Sequence, residues 1–557
     1  MKKIISVLLA VMLAAMLAAC GMVTGPTGTG TSGAANAATD AAEPAVDQDI
    51  TARESTGSFE LTTADGSFSV SGSVYTLNSA GTYTASGLLE GQIVVDAGET
   101  DAVVIELSGA TLTCGSDSPI KVLSAGSVDI SAKKDTENVI NDTRSAKTTD
   151  AGTQGEGAIY ANCDLKIKGS GTLVVTAGYN NGIHTTKDLT VQNLSLKVTA
   201  CNNALKGNDS VTVTSGTVAA ISANGNGVKT ENTDVNKNGV TRGDILLTGG
   251  SITVYAAGDG FEAARNFEMA AGEDGSTPTV TVYTGSYSGY TASGASTTSY
   301  KGVKVQNELN IKAGSITLRT YDDGLHADGG TLLGDGTKGA GTVNISGGRV
   351  SMSVYSPENK TAGGRMGPGG RQGGWGGQQT VSGADGIHAD CVLNISGGEV
   401  SIDSAYEGLE ANVINLSGGR TVVAANDDGV NACKGNSTPA VNVTGGYLDV
   451  TVSPNGDTDG IDSNGTYKQT GGVVIARGPN NQNMAAIDAD NSVSVSGGTL
   501  IVLGYGRVSA SGSVKKYTLS LHSAGSHTVT IGGESYTFTN ASAYGSTTCY
   551  SDVAVSS

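Results

Sequence analysis

The sequence predicts an all-β fold, a right-handed parallel β-helix (β-solenoid) of about a dozen coils with β caps at both ends. Three observations predict it: a recurring small-aliphatic dipeptide, a repeat length near 22 residues, and glycine corners between short β-rich runs. The dipeptide is Gly or Ala followed by an aliphatic residue or Phe, and it begins at positions 158, 182, 204, 227, 260, 302, 324, 386, 408, 429, 460 and 486.

The repeat is short and free of helical periodicity. The steps from 182 to 204, from 302 to 324 and from 386 to 408 are each 22 residues. Each dipeptide is followed by a β-rich run, then S-G-G or T-G-G, then a second run, as in N-I-S-G-G-R-V-S-M-S-V from Asn344. This pattern favours one repeat per coil over a β-propeller, whose blades need about 40 to 45 residues, and parallel crossovers favour the right hand.

Residues 1–20 have the pattern of a secretory signal: M-K-K, an apolar run from Ile4, and L-A-A-C ending at Cys20. The apolar run is too short for a typical membrane span. L-A-A-C resembles a bacterial lipobox, which implies cleavage before Cys20 and lipidation of its thiol. We therefore expect a lipoprotein on the extracellular face of the cell membrane; an ordinary secretory signal with an incidental cysteine is the alternative.

The remaining chain divides by composition. Residues 21–56 are rich in Gly, Thr, Ala and Ser, and they predict a flexible stalk because they cannot bury enough apolar surface to offset ordering. Residues 57–145 are expected to form an N-terminal β cap and first coils, residues 146–505 the parallel β-helix, and residues 506–557 a C-terminal β cap that covers the open sheet edge. We expect one continuous solenoid domain and a monomer.

Charge and cysteine usage exclude several classes of protein. The chain has 33 Lys and Arg against 52 Asp and Glu, a net charge of −19, and no basic run, so nucleic-acid binding is not expected. No C-x-x-C spacing occurs. Buried free thiols are therefore expected in preference to a disulfide framework or a zinc site, at Cys114, Cys163, Cys201, Cys391, Cys433 and Cys549.

Carboxylates recur at the position before the small residue: Asp259, Asp323, Asp385, Glu407, Asp428 and Asp459. Equivalent residues of neighbouring coils lie about 4.8 Å apart, where two like charges repel by roughly 3.5 kcal/mol at an effective dielectric constant of 20. A cation should relieve this repulsion, and oxygen ligands in an extracellular setting favour Ca²⁺. The sequence therefore predicts a calcium site on this edge. The alternative is that Asp and Asn only suit the turn before Gly.

The position after the aliphatic residue is expected to point outward. Its histidines are interpreted as exposed residues packed against their neighbours in the next coil rather than as metal or acid–base groups. Its lysines are candidate ligands for uronic acids. These residues are His184, His326 and His388, and Lys206, Lys229 and Lys304.

The D-G-I-H-A-D and N-I-S-G-G repeats, the lipobox and the insert G-G-R-M-G-P-G-G-R-Q-G-G-W-G-G from Gly363 together resemble the carbohydrate-binding β-helix lipoproteins of Gram-positive bacteria. That family is similar in fold to pectate-lyase-type polysaccharide lyases, and the resemblance spans about residues 60 to 545. It implies calcium-loaded, non-catalytic binding of cellulose, pectin or polygalacturonate. Trp375 in the insert is a candidate contact residue; an unstructured surface loop is the alternative.

Two other functions stay open. A calcium-dependent polysaccharide lyase would need a base to abstract the proton α to a uronate carboxyl, and Lys229, Arg265 or Lys304 are the candidates. A structural adhesin would need no site at all. No residue stands apart from its repeat as a tuned reactive group, so no catalytic residue is assigned.

Overall fold

The computed structural model describes residues 50–145, 154–285, 299–354, 383–455 and 458–557. Cys20, Trp375 and the glycine-rich insert lie outside these residues. The described chain contains 48 β-strands and no α-helix, which confirms the all-β prediction. It follows that no helix in these ranges is long and apolar enough to cross a membrane.

The strands belong to two compact units, one within Met1–Val303 together with Leu333–Gly336, the other within Lys304–Leu332 and Thr337–Ser557. The strands up to position 284 are β1 (Glu60–Thr63), β2 (Phe68–Ser71), β3 (Val74–Leu77), β4 (Gly81–Glu90), β5 (Gln92–Asp96), β6 (Ala102–Cys114), β7 (Ile120–Ser124), β8 (Ser127–Ala132), β9 (Glu137–Asp142), β10 (Gly157–Ala161), β11 (Asp164–Gly169), β12 (Thr172–Ala177), β13 (Asn181–Thr185), β14 (Asp188–Gln192), β15 (Ser195–Ala200), β16 (Leu205–Gly207), β17 (Ser210–Val213), β18 (Thr217–Ser222), β19 (Val228–Lys229), β20 (Asp244–Leu247), β21 (Ser251–Ala256), β22 (Phe261–Ala263), β23 (Phe267–Met269) and β24 (Thr279–Thr284).

The remaining strands are β25 (Val303–Val305), β26 (Glu308–Ile311), β27 (Ser315–Thr320), β28 (Leu325–Ala327), β29 (Gly329–Leu332), β30 (Lys338–Ala340), β31 (Thr342–Ile345), β32 (Arg349–Val354), β33 (Ile387–Ile395), β34 (Glu399–Ser404), β35 (Leu409–Leu416), β36 (Arg420–Ala424), β37 (Val430–Ala432), β38 (Ala440–Val443), β39 (Tyr447–Thr451), β40 (Ile461–Ser463), β41 (Thr466–Arg477), β42 (Ser492–Leu503), β43 (Val508–Ala510), β44 (Lys515–Thr518), β45 (Gly525–Ile531), β46 (Glu534–Asn540), β47 (Thr547–Ser551) and β48 (Val555–Ser556).

In the first unit, each strand from β10 onward pairs in parallel with the strand three places later in the chain. β10, β13, β16, β19 and β22 form one series. β11, β14, β17, β20 and β23 form a second, and β12, β15, β18, β21 and β24 a third. The register makes direct partners of Ile159, Ile183, Leu205, Val228 and Phe261. The alignment on the small-aliphatic dipeptide is therefore confirmed in this unit.

The second unit repeats this parallel pairing, with some strands long enough to serve in two series. One series is β28, β33, β35, β37 and β40, and another is β27, β32, β34, β36 and β39. The third runs through β26, β31, β33, β35, β38 and β41. Leu325, Ile387, Leu409, Val430 and Ile461 are direct partners, again as aligned from the sequence.

Antiparallel pairing accompanies the parallel series near both ends of the described chain. β1 pairs with β4 and β2 with β3. β47 pairs with β42 and β44, and β45 with β46 and β48. The pairing is therefore mixed, and these antiparallel strands fall largely in the ranges for which the sequence predicts caps.

The core is built from the aliphatic residues of the dipeptide and the residue two positions later, because alternate side chains of a strand share one face. Ala161, Ala263, Ala327, Ala389, Ala411 and Ala432 are all buried, as predicted. Ala489 was expected to join them but is only half-buried. Its neighbour Ile487 forms isolated bridges rather than a strand, so no ladder fixes the direction of the Ala489 side chain.

The described cysteines largely match the expectation of free thiols. Cys114, Cys163 and Cys549 are free and buried, and Cys391 and Cys433 are free and half-buried. The expectation is wrong for Cys201, which is disulfide-bonded. Sequence spacing gave no sign of this bond because a disulfide depends on the distance between Cα atoms in space.

The dipeptide requires a small residue at its first position for a steric reason. A Cβ at Gly408 would lie 2.1 Å from Val423 Cγ1 and 2.4 Å from the carbonyl oxygen of Gly429. At Gly429 it would lie 2.7 Å from the carbonyl oxygen of Gly460. These distances are below van der Waals contact, so the backbone of the next repeat leaves no room for a side chain.

We predict that Gly408→Ala destabilises the protein by about 1–3 kcal/mol, the usual cost of forcing an extra methyl group into a packed interior. Denaturant unfolding would measure the change. Gly57→Ala is the control, because a Cβ there meets no atom within 4 Å, and its stability should stay near wild type. Equal stability of the two variants would contradict the steric explanation.

Candidate functional site

The structure places five of the six predicted acidic residues in consecutive repeats of the second unit. We call Asp323, Asp385, Glu407, Asp428 and Asp459 the acidic edge. Their backbones are linked, since the amide after each of the first four residues donates to the carbonyl of the next, as from Gly324 to Asp385 and from Gly386 to Glu407. Asp259, the sixth, belongs to the first unit. The sequence prediction of a row of acids is therefore confirmed for the second unit.

Several carboxylates of the acidic edge satisfy a backbone amide of the following repeat. The amide of Asp385 donates to Asp323 Oδ1 at 2.7 Å, and the amide of Glu407 donates to Asp385 Oδ1 at 3.2 Å. The amide of Asp459 donates to Asp428 Oδ1 at 2.7 Å. An Asn side chain offers the same acceptor, which explains why Asp and Asn both occur at this position.

Asparagines have the same role in the first unit. The amide of Asn226 donates to Asn203 Oδ1 at 3.0 Å, and the amide of Asp259 donates to Asn226 Oδ1 at 2.8 Å. Asp259 Oδ1 then accepts from the amide of Lys301 at 2.7 Å. The suitability of Asp and Asn for the turn before Gly thus explains why a hydrogen-bond acceptor occurs at this position. It does not explain the excess of negative charge in the second unit.

His326 and His388 contact carboxylates in the N-terminal part of the acidic edge. His326 Nδ1 lies 2.7 Å from Asp323 Oδ2 and its Nε2 lies 2.8 Å from Asp328 Oδ1. The two imidazole rings are stacked, with centroids 4.7 Å apart and planes within 8°. Packing of each ring against its neighbour was predicted from the sequence. The expectation that the histidines at this position are exposed is wrong for His326 and for His184 of the first unit, which are both buried.

His388 lies among three carboxylates. Its Nδ1 is 3.3 Å from Asp385 Oδ2 and 2.7 Å from Glu410 Oε2, and its Nε2 is 3.2 Å from Asp390 Oδ1. Burial by itself would lower the pKa of His388, but the hydrogen bonds to these carboxylates reverse the effect and raise it far above its usual range. Burial, with help from Asp323 and Glu410, raises the pKa of Asp385. His388 is therefore the cation of this cluster in the protein without metal.

In the C-terminal part of the acidic edge too, the pKa shifts come from burial and from other carboxylates. Burial and the charge of Asp427 raise the pKa of Asp428 to about 8. Burial, with Asp462 among the neighbouring charges, raises the pKa of Asp459 to about 7, and burial with Asp488 raises that of Asp462 to about 6. Burial and neighbouring carboxylates also raise the pKa values of Asp385 and Glu407, so the energetic conflict predicted for the ladder extends from Asp385 to Asp459.

Asn431 lies in register between Glu410 and Asp462. Its Nδ2 donates to Glu407 Oε2 at 2.9 Å. Its Oδ1 is buried and has no hydrogen-bond partner within the described ranges. An unsatisfied buried acceptor is costly, so this oxygen and the surrounding carboxylates are suited to a cation with oxygen ligands.

The predicted lysine ligands are all placed beside carboxylates. Lys206 Nζ lies 2.7 Å from Glu231, and Lys229 Nζ lies 2.5 Å from Glu262. Lys206 and Lys229 are direct register partners in the first unit. In the second unit, Lys304 Nζ lies 3.6 Å from Asp328. Their roles in ligand binding stay predictions, as does that of Trp375.

The third candidate base of the lyase alternative is also ion-paired. Arg265 makes a two-pronged contact with Asp244, with nitrogen–oxygen distances of 2.7 and 2.5 Å. A guanidinium or ammonium held by a carboxylate is a poor proton acceptor, because the ion pair stabilises the protonated form. The described geometry therefore singles out no base among Lys229, Lys304 and Arg265.

Sequence reasoning missed Asp390 and Glu410 as contacts of His388, and Cys433 as a neighbour of Glu410. Burial, with help from the charge of Glu410, raises the pKa of the Cys433 thiol to about 12. The repeated spacing D-x-x-H-x-D, at Asp323–Asp328 and again at Asp385–Asp390, was the available signal. Glu410 holds the same repeat position as His388, so the alignment of the repeats places the two residues side by side, whereas Cys433 carries no such signal.

Comparison with known proteins identifies the family to which this chain belongs. A family model described as a carbohydrate-binding domain-containing protein matches residues 71–355, half of the 557 residues. A carbohydrate-binding domain-containing protein of Acetivibrio thermocellus is 37% identical over 122 residues, which are 22% of this chain and 43% of that protein. The match thus spans less than half of the length of that relative.

A solved structure, described as the polysaccharide lyase-like protein from C. thermocellum in its gadolinium derivative, is 32% identical. The similarity covers 45% of this chain and 91% of that one, with a TM-score of 0.37. The family match over half of the sequence is the stronger finding. The chain belongs to the family of carbohydrate-binding domain-containing proteins.

Proposed function

We propose that this protein binds plant cell-wall polysaccharide, cellulose or pectin and polygalacturonate, without catalysis, on the outer face of the cell membrane. The observation that carries the proposal is the carbohydrate-binding family match over residues 71–355. The lipobox ending at Cys20 supports the membrane location. Lys206, Lys229, Lys304 and Trp375 are the proposed glycan contacts.

The proposed architecture is a right-handed parallel β-helix. Pairing of each strand with the one three places later supports it, since a coil of three strands returns the chain to the same sheet after one turn. Equivalent side chains then recur about every 4.8 Å. A row of weak, equivalent contacts suits a polymer, whose own repeating units can engage several of them and raise avidity.

The absence of catalysis is proposed because the candidate bases are neutralised. Lys229 and Lys304 each face a carboxylate, and Arg265 is held by Asp244. A uronate lyase needs a base that is unprotonated in the resting enzyme. Each of these three side chains is instead engaged in an ion pair with a carboxylate.

Calcium is proposed as the cation of the acidic edge, at its C-terminal part in particular. Glu407, Asp428 and Asp459 supply carboxylate oxygens, and the buried Asn431 Oδ1 supplies an amide oxygen with no other partner among the described residues. These hard oxygen donors fit Ca²⁺. A bound cation would relieve the repulsion that raises the pKa of Asp428 and Asp459. Asp259 and Asp323 stay candidates from the sequence.

We predict that Ca²⁺ raises the thermal stability of chelator-treated protein, because a ligand that binds only the folded state stabilises it by about 2.7 kcal/mol at one hundred times its dissociation constant. Scanning calorimetry with and without Ca²⁺ would measure the shift. The double variant Asp428→Asn, Asp459→Asn keeps both acceptors for backbone amides but should lose most of the shift. The control pair Glu399→Gln, Asp403→Asn removes two exposed carboxylates of the same unit and should keep it. No shift in the wild-type protein would contradict the proposal.

We predict a further signature in protein kept free of metal: stability should fall as pH rises from about 4 to about 8. The ordinary pKa of an Asp carboxyl is 3.8, whereas the folded protein raises that of Asp428 to about 8 and that of Asp459 to about 7. Between these pH values the folded state keeps protons that the unfolded state has lost. The free energy of unfolding therefore decreases as pH rises. Asp428→Asn should flatten this dependence, and a stability that rises over this range would contradict it.

We predict that the protein is pulled down by insoluble cellulose or retarded in gels containing polygalacturonate, with no new reducing ends and no unsaturated uronate. Lys229→Ala and Lys206→Ala should weaken the polygalacturonate interaction, whereas Lys516→Ala near the C-terminus should not. Formation of unsaturated product that is lost in Lys229→Ala or Lys304→Ala would establish the lyase instead. Failure to bind any of these polymers would overturn the proposed substrate class.

A further inference from the structure

A row of exposed charged residues crosses the series β27, β32, β34, β36 and β39 of the second unit. Arg349, Glu399 and Arg420 are direct register partners on three neighbouring strands, so they follow one another about every 4.8 Å. All three are exposed. They line a cavity of about 190 Å³ together with Ser351 and Ser401, which are half-buried. We call these five residues the arginine face.

The two arginines of this face have different partners. Arg349 forms an ion pair with Glu399, in which 66% of the Arg349 side chain and 51% of the Glu399 side chain remain exposed. Exchange of such an exposed ion pair for another costs little. Arg420 makes no ion pair with any carboxylate of the described ranges. Its guanidinium carbon lies 4.2 Å from the centre of the ring of Tyr447, its register partner on β39.

The ring beneath Arg420 is held in place from several sides. Tyr447 is stacked on Tyr536 of β46, with ring centroids 5.7 Å apart and planes within 3°. The Tyr447 hydroxyl donates to Asp449 Oδ2 at 3.0 Å, and Asp449 is in turn bound by Arg477. Arg420 therefore rests on a supported aromatic ring, which lowers the entropy cost of ordering its guanidinium when a ligand binds.

The balance of charge on this side of the sheet indicates the kind of ligand. The chain has a net charge of −19, yet this side also presents the half-buried Arg319 next to the exposed Asp403, so three arginines face two acids. A guanidinium offers two parallel N–H donors that match the two oxygens of a carboxylate. Neutral glycans have hydroxyl groups but no carboxylate. The residues of this face therefore favour an acidic sugar over a neutral one.

The spacing of the arginines suits a polymer. Arg349 and Arg420 lie two strands apart, about 10 Å along the series, which leaves room for two carboxylates of one extended chain. The hydroxyls of Ser351 and Ser401 lie beside them in the same cavity and can bond to sugar hydroxyls. Several such contacts with one polymer raise the avidity beyond that of a single contact.

We propose that the arginine face binds the free carboxylates of a uronic acid polymer, with Arg420 as the first contact and Arg349 as the second. The inference rests on the proposed function and adds a binding surface to the lysine contacts. Glu399 opposes the ligand, because its charge repels a uronate and competes with it for Arg349. Methyl esterification of the polymer removes the charge that the guanidinium recognises.

The test is gel retardation of the full chain at low salt in polygalacturonate and, separately, in its methyl ester. We expect retardation of the wild-type protein by the acid form and much less by the ester. Arg420→Gln should weaken the interaction about tenfold, the effect of losing one charge-assisted hydrogen bond. Glu399→Gln should strengthen it. Arg507→Gln, the same change at an exposed arginine just before β43, should leave it unchanged.

Two further measurements separate the arginine face from simple charge and from the proposed function. Arg420→Lys keeps the charge but loses the planar pair of donors, so it should also weaken binding, and denaturant unfolding of each variant should match wild type. The arginine face is overturned if polygalacturonate does not retard wild-type protein, if Arg420→Gln is retarded as strongly as wild type, or if the ester retards wild type equally. Binding of wild-type protein to cellulose or either polymer decides separately whether the proposed function stands.

Discussion

Parallel register stacks each residue on its equivalent in the next repeat, and the rest of the structure depends on this constraint. Whatever chemistry one position has is repeated about every 4.8 Å. An amide column satisfies itself, because each side chain both donates and accepts. In the second unit, five asparagines form such a column with nitrogen–oxygen distances of 2.8–3.0 Å: Asn310, Asn344, Asn394, Asn415 and Asn442. Ionised carboxylates in a column cannot satisfy one another in this way, because they accept hydrogen bonds but donate none.

The acidic edge therefore requires positive charge, and the chain supplies it unevenly. Beside Asp323 and Asp385 the compensation is built in, as two stacked imidazoles that bridge the carboxylates. Farther along, burial and like charges leave Asp428 and Asp459 with raised pKa values. The two parts of one sequence pattern thus differ in their neighbours: imidazoles contact the carboxylates in one part, whereas in the other part the amide side chain of Asn431 lies in register between two carboxylates.

Pairing of charges also bears on what kind of carbohydrate protein this is. Lys206, Lys229 and Lys304 each lie beside an acid, so a uronate approaching them would have to share or exchange that partner. Exchange of one weak ion pair for another costs little at a partly exposed surface. Such contacts suit reversible binding of a long polymer more than the activation of one proton acceptor.

The sequence by itself determined the all-β class, the repeat, the residues that are direct partners and the row of acids, because parallel register translates sequence period directly into position. The dipeptide glycines were predictable for the same reason, since the carbonyl of the next glycine occupies the space of a Cβ. Only the tertiary structure decided which carboxylate faces a histidine and which faces another acid. Glu410 contacts His388 from the next strand of the series, and each lysine contacts a carboxylate that the repeat spacing did not identify. Side-chain direction and burial set these contacts, and neither is encoded in the spacing of the repeat.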